Sequence, residues 1–204
     1  MKQSEQYDDL TAIYLARHCT TRWNKEGRIQ GSNDLPLCDA GRAQAVAVAP
    51  TLARHGFDTI VSSPYRRALQ TAAIYAEHLQ ISVQVHDGLK ELNHGAWEGE
   101  VIDTLLSDQY SGYAQWLEDA LSVRIPGGED IAAAQRRISD AISEIVLQHP
   151  RQRVMVITHK HIRAVLSCRL RNLSLSKFGQ AIEERVKPVE ITTKELRRLS
   201  RINP

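Results

Sequence analysis

The 204-residue chain has few cysteines, no long apolar run and almost no net charge. Cys19, Cys38 and Cys168 are an odd, widely spaced set. They form neither a disulfide framework nor a zinc-ligand pattern, so a reduced, cytoplasmic setting is expected. No apolar run approaches the ~18 residues that a membrane span needs, and no membrane partner is expected. Met1 to Asp9 is polar and acidic, unlike the cationic and then apolar start of a secretory signal. The formal charge of +2 is too small to imply nucleic acid. Arg185 to Pro204 holds six Lys or Arg against two Glu. That basic tail has no aromatic residue for bases to stack on, so it reads as a solvated tail rather than a nucleic-acid face. Repeats and low-complexity segments are also lacking.

What is present fits one globular domain spanning residues 1–204. Hydrophobic residues make up 42 % and charged residues 25 % of the chain, which excludes a disordered polymer. Surface scaling gives roughly 9,600 Å2 exposed when folded against about 33,000 Å2 unfolded, enough burial for a core without cross-links.

Compact β-rich runs alternate with longer helical patterns. Ala12–Ala16, Thr59–Val61 and Val154–Ile157 read as buried strands. Ile81–Val85 alternates like a half-exposed edge strand, and Val186–Thr193, interrupted by Pro188, reads as a last strand at the sheet edge. Helices are expected over about Ala40–Arg54, Tyr65–Leu79, Glu129–Gln148 and His161–Leu170. The first has Asp39 as its N-cap, a kink at Pro50 and a stop at Gly56. This order implies βαβ units and a three-layer αβα sandwich, with a mostly parallel central sheet covered on both faces. Residues 95–128 break the alternation and read as a small helical insertion, or lid, over one edge. Its Trp116, Tyr110 and Tyr113 are either a stacking surface for a sugar or base, or buried core.

Ligands of open parallel sheets bind beyond the carboxyl ends of the strands. Three strands end in reactive residues: Arg17-His18-Cys19-Thr20-Thr21, Ser62-Ser63-Pro64-Tyr65-Arg66-Arg67 and Thr158-His159-Lys160-His161. A fourth segment, Leu89-Lys90-Glu91-Leu92, adds a carboxylate. Clustered Arg and His donors suit a phosphoryl group. A neutral imidazole can attack phosphorus, and a protonated carboxyl can serve the leaving oxygen. The set lacks the carboxylates of a magnesium cage, so the expected chemistry is metal-free phosphoryl transfer through phosphohistidine, with no cofactor.

The order of motifs resembles the histidine phosphatase superfamily, also called phosphoglycerate-mutase-like. The resemblance rests on Arg17-His18-Cys19-Thr20-Thr21-Arg22-Trp23-Asn24, Gly27-Arg28-Ile29-Gln30-Gly31, Ser62-Ser63-Pro64-Tyr65-Arg66-Arg67-Ala68 and Leu89-Lys90-Glu91. It continues through Gly95-Ala96-Trp97-Glu98-Gly99 and Pro126-Gly127-Gly128-Glu129 to Ile157-Thr158-His159, covering about Ala12 to Leu170. It implies His18 as the phosphorylated nucleophile, with Arg17 and Arg67 on the phosphate and Thr21 and Asn24 lining the pocket. His159 would stabilise charge on the transferring group, and Glu91 would be the proton donor.

Cys19 and Lys160 stand where the family usually has glycine, and the His159–Arg163 segment is one residue shorter than common. Cys19 is expected to reshape the pocket floor, and Lys160 to point to solvent rather than add a cation to the phosphate site. Phosphoglycerate mutases usually carry Arg directly after the catalytic Glu and Tyr two positions later; here the residues are Leu92 and His94. The phosphatase branch is therefore expected, acting on a small phosphomonoester such as a sugar phosphate, alpha-ribazole phosphate or a phosphoglycerate derivative, as monomer or homodimer. A phosphomutase, a catalytically degenerate binding relative and a metal hydrolase using His159 and His161 are the alternatives. His94 and His161 otherwise read as loop or helix-start residues.

Overall fold

The computed structural model describes residues 11–182, 189–192, 195, 196 and 199. Five strands form one sheet: β1 (Ala12–Arg17), β2 (Thr59–Ser62), β3 (Ser82–Val85), β4 (Arg153–Thr158) and β5 (Val189–Ile191). Their order is β3-β2-β4-β1-β5. The first four are parallel, and β5 closes one edge antiparallel to β1. The helices are α1 (Arg22–Lys25), α2 (Asp39–Leu52), α3 (Arg66–Leu79), α4 (Ile102–Ser107), α5 (Tyr113–Glu118), α6 (Ile131–Gln148) and α7 (Lys160–Arg171).

Successive strand residues point to opposite faces, and the two apolar sets of β1 and β4 feed two cores. Ile13, Leu15, Val154 and Val156 pack with Ile138, Ile142 and Ile145 of α6 and Val165 of α7. Tyr14, Ala16, Met155 and Ile157 pack with Ala45, Ala49 and Leu52 of α2 and Ala68, Ala72 and Tyr75 of α3. The sheet is thus covered on both faces, as expected. Burying an isoleucine side chain of α6 contributes about 1.5–3 kcal/mol, so three of them, spaced along one face of the helix, anchor it to the sheet.

β1 and β4 run in register from Ala12 opposite Arg153 to Arg17 opposite Thr158, so their carboxyl ends stop side by side. The next residue of each chain segment is a histidine, His18 or His159. This pairing brings two distant motifs to one rim.

Local details differ from expectation at several points. The N-cap of α2 is Cys38, and Asp39 is the first helical residue, where its charge favours the positive helix start. Pro50 lies inside α2, which continues to Leu52 and then tightens into a 3-10 turn, Ala53–His55, ending at Gly56. A Cβ on Gly41 would lie 1.9 Å from the Thr20 carbonyl oxygen, so glycine is what lets α2 approach the His18 loop. The insertion holds a 3-10 turn (Gly95–Trp97), α4 and α5. Trp97, Tyr113 and Trp116 are buried and in mutual ring contact. They are core rather than a stacking surface, whereas Tyr110 is 88 % exposed. The last expected strand is described only over Val189–Ile191, and most of the basic tail lies outside the described residues.

Candidate active site

A cavity of about 410 Å3 opens at the carboxyl end of the sheet, lined among others by Arg17, His18, Asn24, Arg67, Glu91 and His161. His18 follows β1 and is almost fully buried. Its Nδ1 lies 2.7 Å from the Cys19 carbonyl oxygen. A carbonyl only accepts, so Nδ1 carries the hydrogen and Nε2 keeps its lone pair. Burial, reinforced by the charges of Arg17 and Arg67, holds the pKa of His18 well below its ordinary value. The ring is therefore neutral near pH 7, with a bare nitrogen available as a nucleophile.

His159 is the N-cap of α7, and its ring centroid lies 5.1 Å from that of His18. Arg67 donates through Nε to His159 Nδ1 at 3.2 Å. His159 Nε2 must then carry the hydrogen, which it donates to Ser63 Oγ at 2.7 Å. Burial, followed by the charges of Arg67 and His18, keeps His159 neutral as well. Arg67 itself is fully buried, donating also to the carbonyls of Asn33 at 2.6 Å and Gly31 at 2.8 Å. One guanidinium thus holds both the second histidine and the loop crossing beneath it.

Glu91 enters from the segment after β3. Arg137 of α6 fixes that segment by donating to the carbonyls of Gly88 and Lys90. Thr158, at the end of β4, donates to the Leu89 carbonyl at 2.7 Å. The Glu91 carboxylate accepts backbone N–H bonds from Leu92 at 3.0 Å, His161 at 3.2 Å and Ile162 at 2.9 Å. Two of these donors are orphan amides of the first turn of α7, where a helix favours an anion. Burial alone would raise its pKa; the His161 contact, then the charges of His161, His159 and His94, outweigh it and hold the carboxyl well below its usual range.

The profile of the histidine phosphatase superfamily (branch 1) matches residues 13–196. The chain belongs to that superfamily. A protein named phosphoserine phosphatase 1 from Hydrogenobacter thermophilus is 32 % identical over 169 residues, covering 83 % of this chain and 80 % of its own. A probable phosphoglycerate mutase GpmB from Yersinia pestis is 32 % identical over 178 residues, covering 81 % and 83 % respectively. Among solved structures, a mycobacterial glucosyl-3-phosphoglycerate phosphatase complexed with VO3 aligns with a TM-score of 0.79 at 29 % identity, covering 88 % of this chain and 92 % of the other.

In this histidine phosphatase the five residues expected to perform chemistry, Arg17, His18, Arg67, Glu91 and His159, meet at one rim. Thr21 differs from expectation. It is fully buried and forms a capping box with Asn24, whose Oδ1 accepts from the Thr21 amide and hydroxyl at 3.0 and 3.1 Å. Thr20 lines the cavity in its place, and Thr21 orients Asn24. Cys19 does not reshape the pocket floor. Its side chain is fully buried in the α2–α3 core, with Sγ 3.5 Å from the Tyr75 hydroxyl, and burial pushes its thiol pKa up. Lys160, expected in solvent, is half-buried and lines the cavity.

Two further site residues hold roles that the sequence did not assign to them. Ser63, the partner of His159, lies in a quoted motif, but nothing in its type signals that role. His161 lines the cavity with Nδ1 3.4 Å from Glu91 Oε2, and only its position two residues after His159 hinted at it. Among the described residues, no group of three or more His, Cys, Asp or Glu is arranged to hold a metal ion. Glu98 forms a clamp beside the site, its carboxylate accepting from the amides of Ser32 at 2.7 Å and His94 at 3.0 Å and from Asn33 Nδ2 at 2.8 Å. A Cβ on Gly31, which has φ of 52°, would fall 2.0 Å from that carboxylate.

Proposed function

We propose that the chain hydrolyses small phosphomonoesters, without a metal, through a phosphohistidine on His18. The carrying observation is the His18 ring, neutral, with Nδ1 tied to the Cys19 carbonyl and Nε2 bare, in a cavity lined by Arg17 and Arg67. Nε2 attacks phosphorus, the P–O ester bond breaks, and the leaving oxygen takes a proton from Glu91. Water then loses a proton to Glu91 and attacks the phosphohistidine, the P–N bond breaks, and inorganic phosphate departs. Arg17, Arg67 and the Asn24 side chain hold the phosphoryl oxygens, and the neutral His159, fixed between Arg67 and Ser63, packs beside the His18 ring. Such preorganised donors stabilise charge where it develops.

Glu91 must be an acid in one step and a base in the next. In the empty site it is a carboxylate. A substrate phosphate beside it adds negative charge, which raises its affinity for a proton. The acid form thus belongs to the loaded site. Among the described residues Glu91 is the only carboxylate lining the cavity, against Arg17, Lys25, Arg28, Arg67 and Lys160. That balance repels a divalent cation and favours a phosphate dianion.

Leu92 and His94 are not among the residues that line the cavity, where a mutase would use its Arg and Tyr on the substrate. Hydrolysis is the reading this supports, over the mutase named among the relatives. Phosphate release from a panel of phosphomonoesters, with EDTA present and beside His18→Ala, tests it. The expected result is EDTA-resistant release in the parent, none in His18→Ala, and an acid-labile phosphoenzyme in the parent alone. Turnover surviving in His18→Ala overturns the phosphohistidine route. Conversion of a phosphoglycerate to its isomer without release would establish the mutase instead.

A further inference from the structure

Behind Glu91 lie two histidines that the proposed reaction does not use. His161 is the second residue of α7, nearly buried, with Nδ1 3.4 Å from Glu91 Oε2, while its own backbone N–H donates to the same oxygen. On its other side its ring centroid is 4.5 Å from that of His94. His94 is fully buried, and its Nδ1 lies 2.8 Å from the Leu92 carbonyl oxygen. That carbonyl fixes the hydrogen on Nδ1 and leaves Nε2 bare, a buried nitrogen with no hydrogen-bond partner.

An unpaired buried acceptor is costly, about 1–3 kcal/mol, and this one lies in the cluster behind the acid–base carboxyl. Burial, then the neighbouring His161, pushes the pKa of His94 down to about 3. His94 therefore packs an electron-rich neutral ring against His161 and adds no second charge. The groups facing the His161–Glu91 pair are His94 and His159, with Lys160 next in the helix and Arg67 and Arg17 across the cavity. The remaining rings against His161, Trp116 and Phe178, carry no titratable group.

We propose that His161 is a positioning residue for Glu91, and that the His161–Glu91 pair holds in the empty site the proton which Glu91 passes to the leaving oxygen. The inference rests on the acid–base role of Glu91 proposed above. In the first step the proton moves from His161 Nδ1 to Glu91 and on to the leaving oxygen as the P–O bond breaks. In the second step water gives a proton to Glu91, which returns it to His161 as the P–N bond breaks. Charge and protons balance over the cycle, and the chain needs no external acid.

The test is His161→Asn, whose amide donates near the place of Nδ1 but has no proton to release. With glycerol phosphate, a poor leaving group, kcat should fall about 10²-fold, the scale of a general acid. With p-nitrophenyl phosphate, whose leaving group needs no proton, kcat should stay within about threefold on the same logic. The alkaline limb of the glycerol phosphate pH profile should also shift. Equal effects on both esters, or none on either, overturn the proposal. In the unaltered protein, 15N NMR should find a hydrogen on the His161 Nδ1 that faces Glu91, and a bare Nδ1 there also overturns it. His18→Ala separates the two readings. If it still turns over substrate, the phosphohistidine route falls and takes this inference with it. If it is inert while His161→Asn treats both esters alike, this inference alone fails.

Discussion

Arg67 donates its Nε–H to Nδ1 of His159 at 3.2 Å, and so decides which nitrogen of that histidine carries hydrogen. The same guanidinium holds the carbonyls of Gly31 and Asn33. Its substitution therefore acts on the second histidine and on the loop together.

Arg67→Lys keeps the charge but cannot reproduce three separate N–H directions. Activity should fall about 10²–10³-fold, the scale for losing one preorganised donor. Each buried carbonyl left unpaired costs about 1–3 kcal/mol. Thermal melting and kcat measured together check this, and a stable variant with parental kcat would remove Arg67 from both roles.

Glu91→Gln retains a carbonyl oxygen for the amides of α7 but turns an NH2 group toward one of its former donors. A stability loss of about 1–3 kcal/mol is expected, with kcat on alkyl phosphates lower by about 10²–10⁴. Turnover of p-nitrophenyl phosphate should change little. Comparing the two substrates in one preparation is the measurement; losses of equal size would deny Glu91 the acid role.

Cys19→Ala should leave kcat within about twofold, since Sγ lies in the α2–α3 core and not in the cavity. A buried thiol with a raised pKa is inert. Thiol-alkylating reagents at neutral pH should accordingly not inactivate the folded protein through Cys19, as mass spectrometry with an activity assay would read. Alkylation of Cys19 in step with loss of turnover would contradict the placement.

Stability should decline as pH falls below about 6.5. His18, His94 and His159 are buried with folded pKa values below the unfolded one. Between those values the unfolded chain binds more protons, so acid favours unfolding. Each such histidine costs about 1.4 kcal/mol per pH unit across its window. Glu91 adds a loss at lower pH, since the stability it contributes above about pH 4.5 disappears as pH falls through its depressed folded value. Thermal melts from pH 8 to 4 should show Tm dropping from about pH 6.5 downward, and less steeply in His94→Gln. A Tm independent of pH over that range would refute the neutral, buried assignment.

The layers were legible because compact apolar runs such as Ala12–Ala16 and Val154–Ile157 take turns with longer helical patterns, an order that survives without tertiary knowledge. His18, His159, Arg67 and Glu91 were legible because each follows a strand. Other features depend on distances that spacing does not encode. His161 matters because the first turn of α7 rests on a carboxylate from another part of the chain. Thr21 reads as a pocket residue, yet the capping box with Asn24 turns it inward. Cys19 follows the nucleophile, yet the pocket lies on the other side of the backbone. Lys160 was expected in solvent because a lysine at a helix start usually finds it; here that start borders the cavity.

Glu98 couples two parts of the chain that sequence separates by more than sixty residues. Its carboxylate joins the start of the insertion to the Ser32–Asn33 loop, whose Asn33 carbonyl Arg67 also holds. The insertion is therefore not an interchangeable module. A segment grafted from another protein to alter selectivity must bring its own carboxylate to this place and keep glycine at position 31. Without both, a change intended for the leaving group would reach the phosphate end of the pocket as well.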